Sequence, residues 1–141
     1  MFRVLLAADK NEERTRNQTA AVASLPCADD EVSATVLYVF PEVRSDEGSD
    51  IRMEEYSSQP ESVQSAIDHL VGRGIAVESM IRSGDPATEI QRAAREIDAD
   101  QIVVGGRKRS PIGKAVFGSV SQEVILNAER PVLSVGETPE R

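Results

Sequence analysis

The residues best placed to do chemistry lie in one segment, Val103-Val104-Gly105-Gly106-Arg107-Lys108-Arg109-Ser110, which runs on through Lys114 to Gly118-Ser119-Val120-Ser121. A short apolar run there gives way to glycine and three consecutive cations, and a Gly-Ser pair then opens a helical pattern. The first N–H groups of a helix have no partner within it and favour an anion, and glycine lets a phosphate approach the backbone. The Ser119 hydroxyl adds a donor. Three adjacent basic residues also make an ordinary solvated loop, and charge alone leaves the two readings level. Position at a strand end, followed by a Gly-Ser helix start, favours phosphate binding. Two better-known phosphate motifs are absent. Gly106 to Ala115 gives Gly-x6-Gly-Lys-Ala, whereas a P-loop needs four intervening residues and Ser or Thr after Lys. No Gly-x-Gly-x-x-Gly follows the first apolar run, so the dinucleotide fingerprint is missing too.

The other candidates are single residues. Asp9 ends the first apolar run; it is either a polar strand end or a ligand contact, and its location favours the contact. Cys27 is the only cysteine and His69 the only histidine. No intramolecular disulfide or cysteine-based metal cluster is therefore possible, and any Ser-His-Asp triad would have to use His69. His69 falls off the apolar stripe of its helix and reads as an exposed surface residue. Cys27, after Pro26, reads as a small buried hydrophobe rather than a nucleophile. The acids between Asp46 and Glu55 read as a solvated loop rather than a metal site.

The elements that must position these groups follow from periodicity. Phe2 to Ala8 and Val32 to Phe40 are unbroken or β-branched apolar runs, the pattern of strands buried on both faces. Between them Asn11 to Leu25 reads as a helix with a polar first half, stopped by Pro26. Glu42 to Pro60 is a surface loop or short helix. Glu61 to Val71 carries an apolar stripe of Val63, Ala66, Ile67, Leu70 and Val71 and ends at Gly72. Ile75 to Arg82 reads as an edge strand, with Ile75, Val77 and Ile81 on its covered side and Glu78 and Arg82 on a wet one. Asp85-Pro86 is an N-cap with proline in the first turn, and Ile90, Ala93, Ala94 and Ile97 form the stripe that follows. Gln101 to Gly105 is a short central strand, Gly118 to Ala128 a helix, and Pro131 to Val135 a last strand. The alternation β-α-β-α-β-α-β-α-β implies an α/β fold with a parallel sheet, helices on both faces and right-handed crossovers. In such sheets ligands sit beyond the carboxyl ends of the strands, where Asp9, Val39 and Gly105 lie.

Composition bounds the function. The 141 residues fit a single domain over 1–141. Without tryptophan and with few aromatics, the core must be aliphatic. A net charge of −8 repels phosphate backbones, so general nucleic-acid binding is not expected. The apolar run from Val4 to Ala8 is too short for a signal sequence or a membrane span, which suggests a soluble cytoplasmic protein. Thirteen Arg against three Lys, with high acid content, suggests a salt-adapted, halophilic cytoplasm. The last strand, Pro131 to Val135, is short, apolar and at the sheet edge, and such an edge invites a homodimer.

The basic loop resembles the signature of the universal stress protein family, Gly-x2-Gly-x9-Gly-Ser/Thr, at Gly105, position 108, Gly118 and Ser119. Glu123-Val124-Ile125 through Pro131-Val132-Leu133-Ser134-Val135 is similar to the family's ending. Val4-Leu5-Leu6-Ala7-Ala8-Asp9 resembles its first strand, Val36-Leu37-Tyr38-Val39 its second, and Gly84-Asp85-Pro86 the turn into its third helix. The resemblance covers nearly the whole chain. It implies a five-stranded sheet in the order 3-2-1-4-5, of the adenine nucleotide alpha hydrolase-like type, and a stress-response module that holds ATP or a related nucleotide and acts through partners. On that resemblance Asp9 would lie near the adenine and ribose, Val39, Val104 and Gly105 would line the adenine slot, and the loop with Arg107, Lys108, Gly118, Ser119 and Val120 would hold the phosphates. Two positions depart from the family pattern. Lys108 stands where the second glycine belongs, and it either replaces a backbone contact with charge or blocks the site. Lys10-Asn11 follows Asp9 where Gly-Ser is usual. A dimeric interaction protein that no longer binds nucleotide is therefore the alternative. An enzyme, at most a slow ATPase, ranks last, since no general base or Mg²⁺-ligand set is evident.

Overall fold

A computed structural model describes residues 1–41, 59–106 and 118–136. Five parallel strands form one sheet: β1 Phe2–Ala8, β2 Val32–Pro41, β3 Ala76–Gly84, β4 Gln101–Gly105 and β5 Val132–Val135. Their spatial order is β3-β2-β1-β4-β5, as the resemblance implied. The helices are α1 Glu12–Ala23, α2 Ala28–Glu31, α3 Glu61–Gly72, α4 Pro86–Glu96 and α5 Ser119–Asn127.

Strand alternation divides the aliphatic core between the two faces. Val4, Leu6, Val36 and Val103 point to the side where Val22 of α1 and Leu70 of α3 are buried. Leu5, Leu37, Ile102 and Val104 point to the other side, against Ile90 and Ala94 of α4 and Val124 of α5. Burial on both faces is why β1, β2 and β4 read as unbroken apolar runs. The chain runs outward from β1 to β2 and β3, then crosses to β4 and β5 on the other side. The reversal therefore falls between β1 and β4, the place where a parallel sheet opens a crevice at its carboxyl edge.

Local signals fix several helix ends. Asn11 caps α1 by accepting from the Arg14 N–H, and Asp85 caps α4 by accepting from the Thr88 N–H, with Pro86 in the first turn. Gly118 precedes α5 in extended conformation, with no side-chain cap.

Four expectations are corrected. Cys27 is exposed, in left-handed conformation (φ 55°) before the unexpected short helix α2; the neighbouring Ala28 enters the core in its place. Val71 is 59 % exposed. The buried stripe of α3 is centred on Ser62, Ala66 and Leu70, four residues apart, and Val71 lies off it. Ile81 is also exposed, while Met80 packs against the α4 side. Arg82, expected on a wet face, is folded against the protein: it pairs with Glu96 and its Nε donates to the Met80 sulfur at 3.3 Å. His69 is exposed, as expected. The expected loop after β2, including the acids from Asp46 to Glu55, lies outside the described residues apart from Gln59 and Pro60.

Candidate functional site

The carboxyl edge of the sheet encloses a cavity of about 400 Å³, within the usual range for small-molecule sites. Asp9, Val39, Val104, Gly105, Gly118, Ser119 and Val120 all line it. Seven of the nine residues singled out in the sequence thus meet around one space. The other two, Arg107 and Lys108, lie outside the described residues, as do Arg109 and Lys114.

Asp9 is held from several directions at the end of β1. Its Oδ1 accepts from the Asn11 N–H at 2.8 Å, and its Oδ2 accepts from Arg14 Nε at 3.0 Å. Its main-chain carbonyl accepts from the Thr15 hydroxyl at 3.1 Å and the Ser62 hydroxyl at 2.6 Å. Ser62 is buried at the start of α3, so one hydrogen bond explains both its burial and the place where the chain returns after β2. Lys10 and Arg14 also line the cavity, which sets two cations beside one carboxylate in a protein of net charge −8.

The opposite wall is built by β4 and α5. The Ser121 hydroxyl donates to the Gly105 carbonyl at 2.8 Å, tying the first turn of α5 to the end of β4. The first turn of α5 contains no acidic residue, so nothing there opposes an anion. Leu37, Val39, Ile90 and Val104 supply an apolar floor, and Tyr38 lines the same space. Burial, and then the charge of Asp9, raise the Tyr38 phenol above its ordinary pKa, so it stays a neutral hydroxyl. An apolar slot, a carboxylate, two cations and a helix start suit a ligand with a flat apolar part, hydroxyls and an anionic end.

The family model described as the universal stress protein family matches residues 1–136. The chain belongs to the universal stress protein family. A "Universal stress protein YxiE" of Bacillus subtilis is 33 % identical over 103 residues, 73 % of this chain and 68 % of the relative. A universal stress protein of Mycolicibacterium smegmatis is 40 % identical over 68 residues, 48 % of this chain, and the chain spans only about half (52 %) of that relative's length. Among solved structures, a universal stress protein from Archaeoglobus fulgidus superposes with a TM-score of 0.75 at 29 % identity, covering 96 % of this chain and 98 % of the other. The fold is also similar to that of a universal stress protein from the same organism in complex with dAMP (TM-score 0.70, 24 % identity, 96 % and 98 % covered).

Relative to the family's strand-end motif, the sequence reading missed the supports. Arg14, Thr15 and Gln18 lie on α1, whose first half reads as polar in the sequence, yet Thr15 and Gln18 are buried. The missed signal was spacing: positions 14, 15 and 18 share one helix face, and that face follows directly on the strand end. Among the described residues no group of three metal-ligating side chains occurs, and no helix is long and apolar enough to cross a membrane.

Proposed function

We propose that the cavity binds an adenine nucleotide, ATP or a close relative, and that the protein is a single-domain stress-response module working through partners. One observation carries the reading: the Gly118-Ser119 helix start opens onto the same cavity as Asp9, Val39, Val104 and Gly105. The base would occupy the slot lined by Val39, Val104 and Gly105. Asp9 would accept from a ribose hydroxyl or amino group. The phosphates would meet the backbone at Gly118, Ser119 and Val120, with Arg107 and Lys108 supplying charge from the loop. The dAMP complex of an Archaeoglobus fulgidus family member supports the same class of ligand. A homodimer through the β5 edge would place two such sites in one assembly, and the charge balance suits a salt-rich cytoplasm.

The second reading, a dimeric interaction protein without nucleotide, is favoured by Lys108 and by the Arg14–Asp9 pair, which already occupies part of the carboxylate. Isothermal titration with ATP of the wild type, Lys108→Ala and Lys108→Gly separates the two. A drop in affinity for Lys108→Ala means that the ammonium contacts phosphate. A gain for Lys108→Gly means that the side chain blocks the site. No binding by any of the three removes the nucleotide reading.

A further inference from the structure

The β1–β4 ladder pairs Val4 with Gln101, Leu5 with Ile102 and Leu6 with Val103, and there it stops. Beyond that point the strands part, β1 leading to Asp9 and β4 to Gly105. Two carbonyls at this fork, Ala7 and Val103, are claimed by one side chain. Gln18 Nε2 donates to the Ala7 oxygen at 2.9 Å and to the Val103 oxygen at 3.2 Å. Gln18 has no solvent exposure at all, and its Oε1 has no partner. A long polar side chain with one unsatisfied oxygen is a costly choice for a helix face over an aliphatic core. Both protons of its amide group are spent on the fork.

The same amide limits what can stand at the end of β4. A Cβ built on Gly105 would lie 3.1 Å from Gln18 Oε1 and 3.5 Å from Arg14 Cβ, so α1 approaches this strand end as closely as glycine permits. Gly105 thus packs closely against Gln18 and is held at its carbonyl by Ser121, while Asp9 is held by Arg14, Thr15 and Ser62.

We propose that Gln18 is the positioning residue of this cavity: its amide wedges the ends of β1 and β4 apart and so sets the spacing between Asp9 and Gly105. Its importance for ligand binding rests on the adenine nucleotide reading; its control of the fork does not. Gln18 touches no ligand in this scheme and acts through the two strand ends.

The test is Gln18→Met, which fills nearly the same volume without a donor, and Gln18→Glu, which regains one donor when protonated. In the unliganded full chain, amide hydrogen exchange is read at Ala8, Asp9, Gly105 and Gly106, against Val4 to Leu6 in the paired part of β1. Gln18→Met removes both donations and should lower protection at the fork about tenfold or more, leaving Val4 to Leu6 unchanged. Gln18→Glu should regain part of that protection as its carboxyl protonates. Where the wild type binds ATP, Gln18→Met should weaken binding by a similar factor. Equal loss of protection along the whole of β1, or none at the fork, overturns the proposal, because Gln18 is then a general core residue or irrelevant. A loosened fork with unchanged ATP affinity overturns its role in the site. If the wild type binds no adenine nucleotide, that reading fails by itself, and the exchange data still decide the fork.

Discussion

Replacing Ser121 by alanine removes the hydrogen bond from its hydroxyl to the Gly105 carbonyl, the one side-chain hydrogen bond that joins α5 to β4 among the described residues. The bond is neutral and partly buried, so its loss costs about 0.5–1.5 kcal/mol, and the acceptor left behind moves the figure toward the upper end. Alanine is the better helix former, which offsets about 0.5 kcal/mol. The cavity left by one oxygen is small. The net expectation is a loss of roughly 0.5–1 kcal/mol, which in a chain of this size lowers the melting temperature by about 2–4 °C.

The consequence for binding follows from position. Gly118, Ser119 and Val120 share with Gly105 the cavity that Ser121 helps to close. If the whole of that free energy is lost from the bound geometry, ATP affinity falls by at most about fivefold. Thermal melting by circular dichroism and isothermal titration read the two effects separately. Ser121→Thr keeps the hydroxyl and is the control; it should melt close to the wild type and bind as well. A melting temperature for Ser121→Ala within about 1 °C of the wild type would show that the bond does not hold α5 in place. Equal losses in the alanine and threonine variants would assign the effect to packing around position 121.

Three further outcomes are expected. Gly118→Val should weaken ATP binding more than Ser119→Ala, because a side chain at the backbone's point of approach blocks the ligand, whereas one lost neutral hydrogen bond costs only about 0.5–1.5 kcal/mol; titration giving the reverse order would remove the phosphate reading of the helix start. Light scattering at tens of micromolar in high salt should show a dimer, since among the described residues β5 stands at the sheet edge with β4 as its only strand partner; a monomer would refute association through that strand. The Asp85 carboxyl is held below its ordinary range by the Thr88 hydroxyl and then by the Thr88 N–H. Its contribution to stability is therefore present above the unfolded carboxylate range and lost as pH falls through the lowered folded value. Thr88→Val should move the Asp85 titration, followed by NMR, upward, and an unmoved titration would show that the hydroxyl is not the cause.

How much was legible in the sequence depended on the kind of burial. β1, β2 and β4 could be read because strands covered on both faces leave unbroken apolar runs, and α4 because a capping aspartate, a proline and a clean stripe coincide. The convergence of Asp9, Val39, Gly105 and Gly118 was readable for a topological reason: in a parallel sheet all strands end on the same edge. What stayed hidden was polar burial. Ser62, Thr15 and Gln18 look like surface residues in a hydropathy pattern, and only their distant acceptors explain why they are inside. Val71 and Cys27 failed in the opposite direction: both look apolar, but the rotation of α3 and the turn before α2 leave them in solvent.

Those hidden residues have a common cause. A parallel sheet that opens a crevice must break a ladder, and each break leaves main-chain carbonyls without strand partners at the edge where a ligand would sit. Here they are the carbonyls of Ala7, Asp9 and Val103. Buried carbonyls need donors, and the helix that follows β1 lies closest to them. Thr15 and Gln18 therefore occupy positions that in a helix over an unbroken sheet would be apolar, and Arg14, one turn before Gln18, reaches the carboxylate beside them. Polar residues on the core-facing stripe of a helix directly after a strand are thus evidence for a forked ladder beneath. In this chain they lie behind the strand ends that carry Asp9 and Gly105, whereas the Gly-Ser pair at 118 and 119 lines the cavity itself. An apolar residue at position 18 would leave the Ala7 and Val103 carbonyls without this donor and the crevice without a fixed width.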